Sequence, residues 1–146
     1  MRFSIALILP LTALATACQA PAERGATDAW VRLPAASGRP GAGYFTLTGG
    51  AKGATLLAVE SPAAQRAELH EMASEGGVMR MGAVANIPVP ANGQVRLAPG
   101  GLHVMMFGIR PGMQPGGTIP LTLRFADGGS VALDAKLVGA GDPAPE

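Results

Sequence analysis

The chain has 146 residues, a formal net charge of +1, and 48% hydrophobic against 14% charged residues. Arg2 apart, ten basic and ten acidic residues are spread without a basic run, which excludes nucleic acid as a partner. A single cysteine excludes an internal disulfide, and the 129 residues from Cys18 onward suffice for one hydrophobic core but not two.

Residues 1–17 read as a secretory signal. Met1-Arg2 is a minimal positive region, Phe3 to Ala15 is apolar apart from Ser4 and Thr12, and Ala15-Thr16-Ala17 is a small-residue cleavage site. The apolar stretch is too short to span a membrane. Export to a periplasm or cell surface follows. Cys18 stands directly after the cleavage site, as in a lipoprotein signal whose cysteine becomes the lipidated first residue. Ordinary cleavage after Ala17, leaving a free thiol, is the alternative, and such a thiol is unusual in an oxidising compartment. Residues 18–26 read as a tether, 27–138 as the folded domain and 139–146 as a disordered tail.

Within the domain, glycine and proline are abundant and helical periodicity is weak. Short runs of β-forming residues recur between turn signals: Ala29–Leu33, Gly43–Leu47, Thr55–Val59, Ala67–Met72, Val78–Val84, Gln94–Leu97, Leu102–Ile109, Ile119–Phe125 and Ser130–Leu137. That cadence predicts an all-β domain of about eight to nine short strands, a sandwich or a barrel. One short helical turn is expected at Ser61 to Gln65, after Pro62.

The two histidines and the methionines carry the chemistry. Apart from Met1, every methionine lies between Met72 and Met113, a window that also holds His70 and His103. Ten residues separate His70 from Met81, and twenty-one separate Met81 from His103. Residues i and i+2 of a strand share a face, so His70 with Met72, Met79 with Met81, and His103 with Met105 form three such pairs. If their strands are neighbours, the pairs converge on one patch. Imidazole plus thioether, without thiolate, suits monovalent copper better than zinc or a hard cation. Methionine is more often a core filler, but both histidines with Met81 and Met105 together favour a metal. Met106 points the other way and is assigned to the core. Met72 and Met79 stay open between supporting contact, alternate ligand and packing, and Met113 is a loop hydrophobe.

Catalytic constellations are missing: no nucleophilic serine motif, no phosphate-cradling glycine loop, no third histidine for a catalytic zinc. Glu68, Glu71 and Glu75 read as a solvated strand and turn; Glu68 falls on the His70 face, but one carboxylate makes no acid–base pair. Blue-copper electron transfer needs a thiolate. Binding without catalysis is the expected class. Neutral thioethers favour Cu(I) over Cu(II) and cannot be lost to disulfides. The glycine pairs Gly76-Gly77 and Gly100-Gly101 would keep such a site shallow enough for ligand exchange.

Histidine, ten residues, methionine, twenty-one residues, then His-x-Met resembles the signature of the periplasmic PCu(A)C copper chaperones. His70, Met81, His103 and Met105 fall on its four ligand positions without a gap. Ala29-Trp30-Val31-Arg32, Gly43-Tyr44-Phe45, Gly77-Val78-Met79-Arg80-Met81, Pro99-Gly100-Gly101-Leu102-His103 and Pro120-Leu121-Thr122-Leu123 also look like that family, from about Thr27 to Leu137. The resemblance implies a Greek-key, cupredoxin-like β-sandwich that binds one Cu(I) through two His and two Met. It further implies a monomer that supplies copper to respiratory oxidase assembly, at the CuA subunit or through a thiol-bearing assembly factor. Copper buffering or resistance without a dedicated acceptor, and a structural Greek-key scaffold without metal, are the alternatives. The tail after Leu137 has no His or Met, so the second Cu(II) site of some relatives is not expected.

Overall fold

The computed structural model describes residues 23–145, so the expected signal and Cys18 lie outside the described residues. In chain order its strands are β1 (Arg24–Arg32), β2 (Gly41–Gly49), β3 (Ala54–Glu60), β4 (Arg66–Glu75) and β5 (Val78–Ala83). They continue with β6 (Ile87–Val89), β7 (Gln94–Leu97), β8 (Leu102–Phe107), β9 (Thr118–Phe125) and β10 (Ser130–Val138). No helix occurs among the described residues.

Alternation drives the assembly. Along β9, Ile119, Leu121, Leu123 and Phe125 are buried, and most of the residues between them are exposed. A strand of this period presents one apolar face, and that face must find a partner. The strands follow the hydrogen-bonded order β5-β4-β8-β2-β1-β10-β9-β3-β6, with β7 also on β2. β1 and β10 run parallel, and the other pairs are antiparallel. Neighbours such as β8 with β2 and β1 with β10 are far apart in sequence, as Greek-key crossovers require. The inward faces meet in one core that includes Val31, Phe45, Leu47, Leu56, Leu69, Val104, Met106 and Leu123.

Ten strands form among the described residues rather than eight to nine. The extra one, β6, contains Pro88 and is followed by Pro90, a composition that argues against a strand in sequence; it survives because it is the last strand in the order, where a missing N–H breaks no ladder. β1 begins at Arg24, inside the segment expected as a tether. Arg24 pairs with Gly49, binds Asp127 at 2.7 Å and lies 4.4 Å from the centre of the Phe125 ring. In the segment expected as a tail, the Gly139 N–H donates to Asp142 Oδ2 at 2.7 Å, and Arg32 donates to the Asp142 carbonyl at 3.0 Å. Ser61 to Gln65 is a turn, not a helix: the Ser61 hydroxyl accepts from the Ala63 N–H and its carbonyl from the Ala64 N–H.

The face of β4 and β8 turned away from this core is the one that matters. Leu69, Val104 and Met106 point inward, so by alternation Glu68, His70 and Met72 on β4, and His103 and Met105 on β8, share the outer face. On β2, Tyr44 belongs to that face too, packing with Trp30, Val138 and Ala42 in a small second cluster.

Candidate metal centre

Strand register sets the geometry. β4 and β8 pair so that His70 lies directly opposite His103 and Glu68 opposite Met105. β4 and β5 pair so that Met72 lies opposite Met81. Residues directly opposite on an antiparallel pair share a face, so all three His/Met pairs are brought to one surface. The two imidazole rings are 5.9 Å apart. Met81 reaches diagonally, and its Sδ is 3.3 Å from His103 Nε2. Met105 sits one step further along β8, partly buried, beside Ala42 of β2. Met72 is partly buried next to His70, while Met79, opposite Ser74, is 53% exposed. Met106 is fully buried, and Met113 packs against the core from its loop.

The hydrogen bonds decide which nitrogens hold protons. His103 Nδ1 is 2.9 Å from the Gly101 carbonyl, which can only accept. Nδ1 therefore carries the proton, and Nε2 of the neutral ring keeps its lone pair. That lone pair faces the Met81 thioether, which also only accepts. Two Lewis bases in contact with no proton between them leave a place for a cation. His70 is held the opposite way: its Nε2–H donates to Glu68 Oε2 at 3.1 Å. The lone pair is then on Nδ1, which is buried and has no hydrogen-bond partner among the described residues. Burying such a group unpaired is costly, and a metal would satisfy it. A ligating imidazole commonly fixes its other nitrogen on a carboxylate or carbonyl in this way.

Glu68 is itself held. Arg66 Nε donates to its Oε1 at 2.8 Å, and the Arg66 guanidinium lies 3.9 Å from the centre of the Phe107 ring. The bonds from Arg66 and then His70 lower the Glu68 pKa below the ordinary carboxylate range, so the acceptor stays ionised. Sequence reading placed Glu68 on the right face but gave it no role; its i, i+2 spacing from His70 was the available signal. Tyr44 was noted only as part of a family segment. Its ring is 6.5 Å from His103 and 4.3 Å from Trp30, and burial raises its pKa. Among the described residues, no three His, Cys, Asp or Glu side chains group to hold a metal; the other soft donors on this face are the thioethers of Met72, Met79, Met81 and Met105.

The fold is that of the PCuAC domains. It matches the copper-bound PCuAC domain of PmoF2 with a TM-score of 0.64 at 23% identity, covering 83% of this chain and 99% of that one. Apo-DR1885 from Deinococcus radiodurans matches at 28% identity and a TM-score of 0.59, covering 97% and 100%. Cu(I)-bound DR1885 matches at 28% identity and a TM-score of 0.61, covering 84% and 80%. The model of the LpqE-like family, described as lipoproteins, matches residues 25–137. A protein of Leifsonia xyli subsp. xyli named as a lipoprotein is 32% identical over 142 residues, covering 90% of this chain and 85% of its own. The chain belongs to the LpqE-like family.

The tautomers can be read directly. Long-range proton–nitrogen NMR of the metal-free protein at alkaline pH should show His70 protonated on Nε2 and His103 on Nδ1. Two rings in the same tautomer would contradict the site geometry.

Proposed function

We propose that the protein is an exported copper chaperone that carries one Cu(I) on His70 Nδ1, His103 Nε2, Met81 Sδ and Met105 Sδ. The observation that carries this reading is the opposed pair of imidazoles, each leaving an unprotonated nitrogen with no donor to satisfy it. Four neutral donors, two of them thioethers, match the softness and low charge of Cu(I) and offer little to Zn(II) or Cu(II). The Cu(I)-bound state of DR1885 supports the same cargo for this chain.

The geometry suits a carrier rather than an enzyme. His103 is 5% exposed and Met81 51%, so the nitrogens hold the ion from within while a sulfur faces solvent. An acceptor can displace the outer thioether without entering the core. Delivery to the CuA centre of a respiratory oxidase, directly or through a thiol-bearing assembly factor, follows from the resemblance in sequence. The lipoprotein naming of the family and of the Leifsonia relative supports a lipid anchor at Cys18 in the periplasm, which would keep delivery close to the membrane.

Met105 and Met106 are neighbours on opposite faces of β8, which makes a sharp test. Met105→Leu should lower Cu(I) affinity tenfold or more, with each tenfold about 1.4 kcal/mol, and Met81→Leu should do the same. Met106→Leu should leave affinity nearly unchanged and cost under about 1.5 kcal/mol of stability. His70→Ala and His103→Ala should be at least as damaging to binding as Met105→Leu. Competition with a Cu(I)-specific chromophoric chelator reads affinity, and thermal melts of the metal-free proteins read stability. Equal affinities for the Met105 and Met106 variants would refute the ligand assignment.

The anchor is tested by fractionation. Cys18→Ser should move the protein from the membrane to the soluble periplasm and leave copper binding unchanged. A wild-type protein already soluble, with an unmodified N-terminus, would rule the anchor out.

A further inference from the structure

We propose that Met79 is the hand-over ligand of this protein, an exposed thioether that takes Cu(I) from the histidine–methionine centre and presents it to an acceptor. The inference rests on the copper reading above and extends it from storage to transfer.

Met79 lies two residues before Met81 on β5 and on the same face, about 7 Å away at the rise of a strand. Its side chain is 53% exposed and that of Met81 51%, against 5% for His103. The donors therefore run from buried nitrogen to solvent-facing sulfur along one surface. β5 is the end strand of the sheet order, so an acceptor can reach Met79 without displacing a described strand.

Met79 stands on a tight hairpin. β4 ends at Glu75 and β5 begins at Val78, joined by Gly76 and Gly77 with φ of 59° and 80°. Positive φ at both central residues is the twist-matched two-residue hairpin turn. Arg80, directed to the other face, closes the hairpin with Glu75 at 3.5 Å. Beside the charge of Arg80, which blunts this edge strand, Val78 and Met79 stand exposed. Of the two, only Met79 offers a lone pair.

In the transfer step the Met79 Sδ–Cu(I) bond forms as the Met81 Sδ–Cu(I) bond breaks, the imidazoles letting go last. Both donors are neutral, the copper stays monovalent, and neither a proton nor an electron is exchanged. The acceptor's donor atom then displaces Met79 in the same manner.

Met79→Leu keeps the bulk and apolarity of the exposed edge and removes only the sulfur. The full chain loaded with Cu(I), wild type and variant, is mixed with bathocuproine disulfonate, and transfer is followed by stopped-flow absorbance at several chelator concentrations. Equilibrium affinity is measured in parallel. The variant should match the wild type in affinity and transfer copper about tenfold more slowly, the factor expected for about 1.4 kcal/mol lost from the barrier crossing. An unchanged transfer rate would overturn the proposal and leave the edge as an apolar contact only. Affinity falling in step with rate would also overturn it, by making Met79 a resident ligand. A wild-type chain that takes up no Cu(I) would instead defeat the copper reading itself.

Discussion

The centre depends on two hydrogen bonds that each end on an atom able only to accept. The Gly101 carbonyl takes the proton of His103 Nδ1, and the Glu68 carboxylate takes that of His70 Nε2. Because the acceptors contact different nitrogens on the two rings, the free lone pairs are Nε2 on one and Nδ1 on the other. Either bond, if lost, would let its ring rotate or change tautomer and hide the nitrogen from a metal. Gly101 is doubly used, since its carbonyl also accepts the backbone N–H of Met72. The loop that orients one histidine is thereby tied to the strand that bears the other.

Sheet architecture makes these bonds possible. His70 and His103 face each other because β4 and β8 are antiparallel in one register, and a slip of a single residue would send one of them into the core. Leu69, Val104 and Met106 fix that register, because they must be inside. The apolar face thus sets the layout of the outer face without touching it. The same alternation separates Met105 from Met106 and puts two adjacent identical side chains in different surroundings. Rigidity comes from the core side and accessibility from the outer side, where the β4–β5 hairpin continues into residues that are largely exposed.

Much of this was legible in the sequence, and the limits have physical causes. Same-face pairing of His70 with Met72 and of His103 with Met105 is a matter of parity, which any strand imposes. All-β class was legible from the cadence of β-forming runs between turn signals. Which strands are neighbours is a non-local property, so the contact between Met81 and His103 could be expected only from the recurrence of the pattern. Glu68 was visible but mute: its role requires knowing that Arg66 holds one oxygen while His70 uses the other. β6 was hidden by Pro88, whose cost vanishes at a sheet edge. The start of β1 at Arg24 was hidden because its anchors, Asp127 and Phe125, lie about a hundred residues further along.

The central claim is that two imidazoles and two thioethers meet in one coordination shell. An X-ray absorption spectrum of the Cu(I)-loaded protein counts those donors directly. The account predicts a monovalent edge and a mixed shell of nitrogen and sulfur, with sulfur scattering reduced in Met81→Leu and in Met105→Leu. A shell of nitrogen and oxygen alone, or sulfur scattering indifferent to both substitutions, would contradict it.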